Sequence, residues 1–329
     1  MINPEAKLNP KLFEKDIEQK PTRDGYGEGL VLAGKENPNV VVLCADLSDS
    51  TRSAMFQKEF PERFVECGIA EQNMMDVATG MALSGKIPFV STYAVFCPGM
   101  NWSQIRVSVL QNNANVKLTG AHAGVSVGPD GMSHQALEDI AITRCLPGLT
   151  IIAPCDSIET RKATLAAARM KGGVYLRFTR EKTPIFTTEE TPFEIGKALV
   201  LRDGKDITII GCGPLLYNAL LAAEELSKEG IEATVINSHT IKPLDEKTII
   251  EAAQKTGAVV SVEEHQVAGG LGSAIAEVLA KNYPVPQEFI GAQDRFGESG
   301  EPDELIEIMG MGVNSIKEAV KRAISKKTK

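Results

Sequence analysis

Two α/β domains in tandem, each a mostly parallel sheet covered by helices, are the architecture this sequence predicts. Three observations carry the prediction. Strand-sized apolar runs rich in Val, Ile and Leu alternate with helical stretches almost throughout the chain, which implies crossover units and buried parallel strands. One aperiodic segment at 181–192 (EKTPIFTTEETP), with three acidic residues and two prolines, interrupts the alternation. Finally, 329 residues of which 43% are hydrophobic suffice to fill two cores.

In the first domain, NVVVLCAD, RFVECG, KIPFVSTY, NVKLTGAH, LTIIAPC and GVYLRFT predict six strands, with helices over 71–83, 102–111, 135–145 and 156–170. Asp156 is placed to cap the last helix, with Glu159 three residues on completing a capping box. Trp102, Ile105 and Val109 share one helix face and predict core packing. The second domain follows with FEIGKALVL, DITIIGCG, EATVINSH, GAVVSVEEH and QEFIGAQD as strands, and helices over 215–228, 245–255, 271–281 and 313–324. The aperiodic segment sets the boundary, giving domains 1–186 and 187–329.

Composition excludes several classes of protein. With 35 Lys plus Arg against 43 Asp plus Glu, the net charge is −8 and no basic patch marks a nucleic-acid binder. No apolar run approaches the ~20 residues that span a bilayer, and the charged opening MINPEAKLNPKLFEKDIEQK lacks a signal-peptide core. Six cysteines without a C-x-x-C pair read as free, mostly buried thiols in a reducing compartment. A cytoplasmic protein with neither membrane nor nucleic-acid partners is expected.

Ligands of open parallel sheets gather outside the carboxyl ends of the strands. Asp46 ends the first strand, Glu71 follows the second, and Tyr93 and Phe96 follow the third. His122, Asp130 and His134 follow the fourth, and Arg180 ends the sixth. Two imidazoles, carboxylates, an arginine and two aromatic rings at one edge predict a small-molecule site. Singly, each residue has a plain structural role, as Glu71 has at a helix start. In the second domain, IIGCGPLL lacks the third glycine of a dinucleotide loop and reads as a tight turn. AGGLGSA reads as a packed helix entry, and no further ligands accompany Glu263–Glu264–His265 to make a metal site.

The strings ADLSDS, ECGIAEQN, FVSTYAVF, GPDGMSHQ, IIAPCDSIET and YLRFTRE, in this order, resemble the pyrimidine-binding and C-terminal domains of transketolase, and specifically the C-terminal subunit of split transketolases. The resemblance covers nearly the whole chain from about Pro21. It implies a pyrimidine-binding α/β domain followed by a smaller α/β transketolase C-terminal domain. It implies transfer of a two-carbon ketol unit between ketose and aldose phosphates on thiamine diphosphate. Carried over by position, Glu71 is the glutamate facing the thiamine aminopyrimidine, Phe96 packs on that ring with Tyr93 beside it, and Asp46 lies toward the thiazolium. Arg23, Ser50 and Arg180 match sugar-phosphate binders, and His122, Asp130 and His134 match residues that hold sugar hydroxyls and the carbonyl, His134 with a catalytic role. A third stacking aromatic found in single-chain relatives is replaced here by Gly99.

Family enzymes hold the diphosphate through a divalent metal, Mg or Ca, bound by a G-D-G…N motif. This sequence has no G-D-G. The resemblance therefore implies an N-terminal transketolase subunit that carries the motif and the metal, with two copies of each chain. The beta subunit of a 2-oxoacid dehydrogenase is the nearest alternative, disfavoured by D-G-x-x-H-Q and the paired histidines. 1-Deoxyxylulose-5-phosphate synthase is another, disfavoured by His122 where that family typically has an acid. A non-catalytic partner module is a third, disfavoured because every expected polar position is filled.

Overall fold

The structure is a computed structural model and describes residues 1–327. Its strands are largely the β-branched runs of the sequence, assembled into two large sheets and one two-stranded ribbon of β1 and β8. The first half begins with β1 (Gln19–Pro21), α1 (Thr22–Glu36), β2 (Val40–Cys44), α2 (Ser48–Thr51), α3 (Ala54–Glu59), β3 (Phe64–Glu66), α4 (Glu71–Leu83) and β4 (Ile87–Tyr93). It continues with α5 (Trp102–Gln104), β5 (Lys117–Ala121), α6 (Asp139–Arg144), β6 (Thr150–Ile152), α7 (Ser157–Arg169), β7 (Val174–Arg177) and β8 (Lys182–Pro184). The second half comprises β9 (Leu199–Arg202), β10 (Ile207–Gly211), α8 (Leu216–Lys228), β11 (Ala233–Asn237), β12 (Thr240–Lys242), α9 (Glu246–Thr256), β13 (Val259–Gln266), α10 (Leu271–Asn282), β14 (Gln287–Ala292), α11 (Pro302–Ile308) and α12 (Val313–Ser325).

In the first sheet β6-β7-β5-β4-β2-β3 run parallel, and β12 of the second half joins the β6 edge antiparallel. The second sheet has the order β14-β13-β10-β11-β9, with only β9 antiparallel. Residues 1–17 also cross over in space. The Asn3 N–H donates to Leu201 O at 2.9 Å, and Ala6, Leu12 and Ile17 lie in the core of the second sheet. Both domains therefore borrow a segment from the other half of the chain. No helix among the described residues is long and apolar enough to cross a membrane.

Several elements depart from the sequence expectation, each for a physical reason. The segment 181–192 is no free linker: β8 pairs antiparallel with β1, and Phe186 and Thr187 are buried with their N–H groups donating to the Asp156 carboxylate at 3.1 and 2.7 Å. That carboxylate also caps α7 by accepting from the Glu159 N–H at 2.9 Å. Glu159 does not close the box on the Asp156 N–H; it reaches one residue further back to the Cys155 N–H at 2.7 Å and across to Asn237 Nδ2 at 2.7 Å, so it also joins the two domains. The helix expected over 102–111 turns π-helical from Ile105 to Leu110. The one expected from 135 starts at Asp139, because Gln135 spends its side-chain amide on loop carbonyls.

Helix α1 is absent from the sequence expectation because Gly25, Gly27, Gly29 and Gly34 weaken any helical signal. The structure shows what they provide. A Cβ on Gly25 would stand 1.9 Å from the Ser157 carbonyl oxygen, and one on Gly29 2.6 Å from the Thr164 Cβ, so α1 and α7 pack backbone to backbone. The Gly25→Ala variant should lose about 1–3 kcal/mol or more of stability through overpacking. A urea midpoint equal to wild type would contradict this packing.

Candidate active site

The carboxyl edge of the first sheet collects most of the residues singled out by sequence. Glu71 opens α4, where a carboxylate complements the helix dipole, and is only 4% exposed. Its Oε1 accepts from Thr92 Oγ1 at 3.2 Å, and its backbone carbonyl accepts from Asn101 Nδ2 at 3.4 Å. Met74 and Met75, one turn on, are fully buried.

Four rings cluster beyond β4 and β5. Tyr93 stacks on His122 with centroids 4.0 Å apart and on Phe96 at 5.9 Å. His134 meets both aromatic rings edge-on, at 6.0 Å from Tyr93 and 5.7 Å from Phe96. A Cβ on Gly99 would lie 2.0 Å from the Val95 carbonyl oxygen, so the turn after Phe96 has no room for a side chain there. His122 takes a left-handed backbone (φ 57°) as the chain leaves β5. Its ring is buried and its Nδ1 has no partner. Burial, reinforced by Arg23, Arg180, His134 and Arg52, lowers its pKa to about 3, so the imidazole is neutral near pH 7. His134 Nδ1 lies 2.9 Å from Ser133 Oγ.

Arg23 enters from the first turn of α1 and donates from Nη1 to Ser50 O at 3.0 Å; its Nε is buried without a partner. Burial and the nearby Arg52 lower its pKa. Arg180 donates to Val127 O at 3.0 Å and to Asp130 Oδ1 at 3.3 Å, with Glu181 at 3.4 Å from its Nε. Asp46 is exposed two residues past the end of β2, and its N–H donates to Glu66 Oε1 at 2.8 Å.

Sequence reasoning missed Arg52. It sits in a left-handed turn (φ 68°) two residues after Ser50 and donates to Asp24 Oδ1 at 2.7 Å. Its charge reaches Arg23 and His122, which makes it a third guanidinium at this edge. A basic residue beside the Ser-Asp-Ser turn at a strand end was the available signal. Thr92 and Asn101, the partners of Glu71, carried none.

The second-domain motifs are structural. The Glu263 carboxylate accepts from the N–H groups of Leu271 and Gly272 at 2.7 and 2.8 Å, filling the N-terminus of α10. Glu264 and His265 are buried in contacts with the first domain. No cluster of three or more potential metal ligands occurs among the described residues. A hollow of about 490 Å³ between α1, α3 and α7 is lined by Glu28, Leu32, Met55 and Arg161 and holds none of the site residues.

Residues 18–185 match the transketolase pyrimidine-binding domain, and residues 196–316 match the transketolase C-terminal domain. The chain belongs to the transketolase family. It is 46% identical over 310 residues to a Methanocaldococcus jannaschii protein that carries the name transketolase C-terminal section, covering 93% of this chain and 97% of that one. It is 39% identical over 315 residues to a 6-deoxy-6-sulfo-D-fructose transketolase subunit of a Clostridium strain, covering 96% and 98% of the two chains. Identity to human transketolase is 39% over 309 residues, covering 93% of this chain and 49% of the human protein, so the chain spans about half that length. A split-gene transketolase solved as an inactive beta4 tetramer superposes with a TM-score of 0.87 at 44% identity, covering 94% of this chain and all of that one. By domain content, this chain corresponds to the C-terminal section of transketolase.

The depressed basicity of His122 is testable. Buried His239 and His265 are likewise lowered to about 4, chiefly by burial. Since each folded pKa lies below the ordinary ~6.5, the three rings stay neutral as pH falls from 8 to 5. Imidazole ¹⁵N spectra should show neutral-form shifts for all three across that range. A His122 midpoint near pH 6.5 would be incompatible with its enclosure among guanidinium groups.

Proposed function

We propose that this chain is the C-terminal subunit of a two-chain transketolase that moves a two-carbon ketol unit from a ketose phosphate to an aldose phosphate with thiamine diphosphate. The observation that carries the reading is the convergence at one sheet edge of buried Glu71, the Tyr93–His122 stack, Phe96, His134 and the guanidinium groups of Arg23 and Arg180.

An aminopyrimidine needs a flat apolar wall and a carboxyl group for its ring nitrogen. Phe96 is half-buried in a plane 15° from that of Tyr93, and Glu71 is enclosed with Thr92 on one oxygen, so these residues fit that half of the cofactor. The diphosphate half needs a divalent ion and its ligands. The sequence has no G-D-G to open such a ligand set. A partner subunit with the G-D-G…N motif supplies both.

When bound, thiamine diphosphate supplies a nucleophilic carbon and a sink for the electron pair of the ketol unit. Glu71 holds a proton at the pyrimidine ring nitrogen, and Tyr93 and Phe96 orient the ring. Neutral His122, stacked against Tyr93, is assigned to the sugar hydroxyls. His134, engaged through Nδ1 with Ser133, has Nε2 left to exchange a proton with the sugar carbonyl oxygen. Asp130 accepts from a sugar hydroxyl. Arg23 and Arg180 bind the terminal phosphate through charge-assisted hydrogen bonds, and that remote grip orients the carbonyl. Asp46, just past β2, is assigned a place toward the thiazolium.

The similar split-gene chain is described as an inactive beta4 tetramer, and we read the lone chain here in the same way. Ile69 and Leu83, flanking α4, are 82% and 62% exposed, and Met100 beside the ring cluster is 55% exposed. Such unburied apolar surface suits contact with other subunits, in an assembly of two copies of each chain.

Reconstitution tests this reading. The purified chain alone should show no ketol transfer and no micromolar thiamine diphosphate binding by calorimetry. An N-terminal transketolase subunit should restore transfer from xylulose 5-phosphate to ribose 5-phosphate; turnover of pyruvate instead would favour the 2-oxoacid alternative. Within the reconstituted pair, Glu71→Gln should lose about 10²–10⁴-fold in kcat, the usual effect of removing a positioned acid–base group. Transfer within a few-fold of wild type would remove Glu71 from the mechanism. Arg23→Ala and Arg180→Ala should each cost about 1.5–3 kcal/mol in kcat/KM, expressed in KM for phosphorylated sugars and absent for unphosphorylated ones. Equal damage to both classes would mark these arginines as structural.

A further inference from the structure

The segment from β5 to α6 carries His122, Asp130 and His134, yet much of what holds it belongs to the second domain. Glu264 on β13 is buried, and its Oε1 accepts the Ser126 N–H at 2.6 Å in the middle of the loop. Gln135, 3% exposed, donates from Nε2 to Val125 O at 3.1 Å, Gly128 O at 3.5 Å and Glu298 O at 3.0 Å. One amide thus closes the loop on itself and ties it to the segment following β14.

Four glycines make this fit possible. A Cβ on Gly124 would lie 2.3 Å from the Glu264 carboxyl, one on Gly131 2.5 Å from Ser299 Oγ, and one on Gly297 2.1 Å from Gln135 Oε1. One on Gly128 would lie 3.1 Å from Pro302 Cγ. Gly124, Gly128 and Gly131 also have φ of 88°, 78° and 73°, where other residues are strained. A loop with three such glycines has many conformations open to it when free. Here two loops of different domains interlock and leave one.

We propose that Glu264 and Gln135 are positioning residues, through which the second domain fixes the loop bearing Asp130 and His134 against the bound sugar. The inference rests on the transketolase reading above. Neither residue takes a step in that chemistry, and Glu71 and Phe96, on the cofactor side, belong to other elements. Misplacement of a reacting group by about 1 Å can cost ~10²-fold, so a loosened loop degrades sugar turnover while cofactor binding persists.

Glu264→Ala, Glu264→Gln and Gly297→Ala in the reconstituted enzyme test this. Glu264→Ala should lower kcat/KM for the sugar phosphates by about 10–100-fold and leave the Kd of thiamine diphosphate unchanged. Glu264→Gln keeps an acceptor for the Ser126 N–H and should recover most of the loss. Gly297→Ala, whose new methyl strikes Gln135, should reproduce it. On the full-length chain alone, amide hydrogen exchange over 124–135 should accelerate in Glu264→Ala and stay unchanged over 87–93. Sugar kinetics and loop exchange like wild type would overturn the proposal. So would a parallel loss of cofactor affinity and thermal stability, which would mean general domain packing. Should Glu264→Ala fail to fold, Gly297→Ala decides by the same two readouts. Absence of ketol transfer in the wild-type pair would refute the activity, while loop exchange would still decide whether Glu264 fixes the loop.

Discussion

Arg177 and Asp139 form a buried ion pair on which the substrate edge depends. The Arg177 Nε donates to Asp139 Oδ2 at 2.8 Å, Tyr175 OH donates to the same oxygen at 2.8 Å, and all three residues are buried. Burial alone works against the guanidinium charge, but Asp139 outweighs it and holds Arg177 protonated. From that fixed point Arg177 Nη2 reaches Glu264 O at 2.7 Å, and His265 Nε2 accepts the Ile140 N–H at 3.2 Å. The start of α6, the end of β7 and strand β13 of the second domain are thereby locked together. Such pairs add little net stability over a hydrophobic replacement, but removing one partner costs about 3–5 kcal/mol because a charge is left buried alone. What the pair provides here is registration: it sets where the loop before α6 begins and ends.

Much of this architecture was legible in the sequence, and the exceptions are instructive. Helix 71–83 is found where expected because a polar strand end and a Lys-Ile-Pro strand start bracket it. Helix α1 was invisible because its glycines serve a close contact with α7, a tertiary demand that overrides propensity. The segment 181–192 looked like a linker because its buried N–H groups bond to a side chain 30 or more residues earlier, which periodicity does not register. Glu263–Glu264–His265 looked like idle polar residues for the same reason, since each finds its partner in tertiary structure: a helix N-terminus, a loop amide, a helix start. The ring cluster was legible through the order of motifs along the chain. Arg52 was not, since its role depends on a left-handed turn that aims it back toward Asp24.

The electrostatics of the edge run against the charge of the whole molecule. A chain of net charge −8 gathers Arg23, Arg52 and Arg180 around a neutral imidazole. Two of the three are partly balanced, Arg52 by Asp24 at 2.7 Å and Arg180 by Asp130 at 3.3 Å and Glu181 at 3.4 Å. These pairs are partly exposed, so each contributes little to stability. In the proposed reaction a doubly charged phosphate would replace a carboxylate at these guanidinium groups without large loss.

The edge is also open. Phe96 and His134 are only half-buried, Met100 is exposed beside Phe96 and Ile69 is exposed just before Glu71, whereas a site that excludes water must cover such groups. In the proposed two-chain enzyme the cover is another polypeptide, which separates two tasks that a single chain would combine. This chain must hold its rings, carboxyl and guanidinium groups in place before any cofactor arrives: Glu71 is held by Thr92 and Asn101 of its own domain, and the loop 124–135 takes hydrogen bonds from the second domain. The dipoles and charges that meet the diphosphate need not be built here at all. Rigidity of the loop 124–135 then matters more than enclosure, because a half-site that docks onto a preformed partner gains affinity and rate by needing little rearrangement.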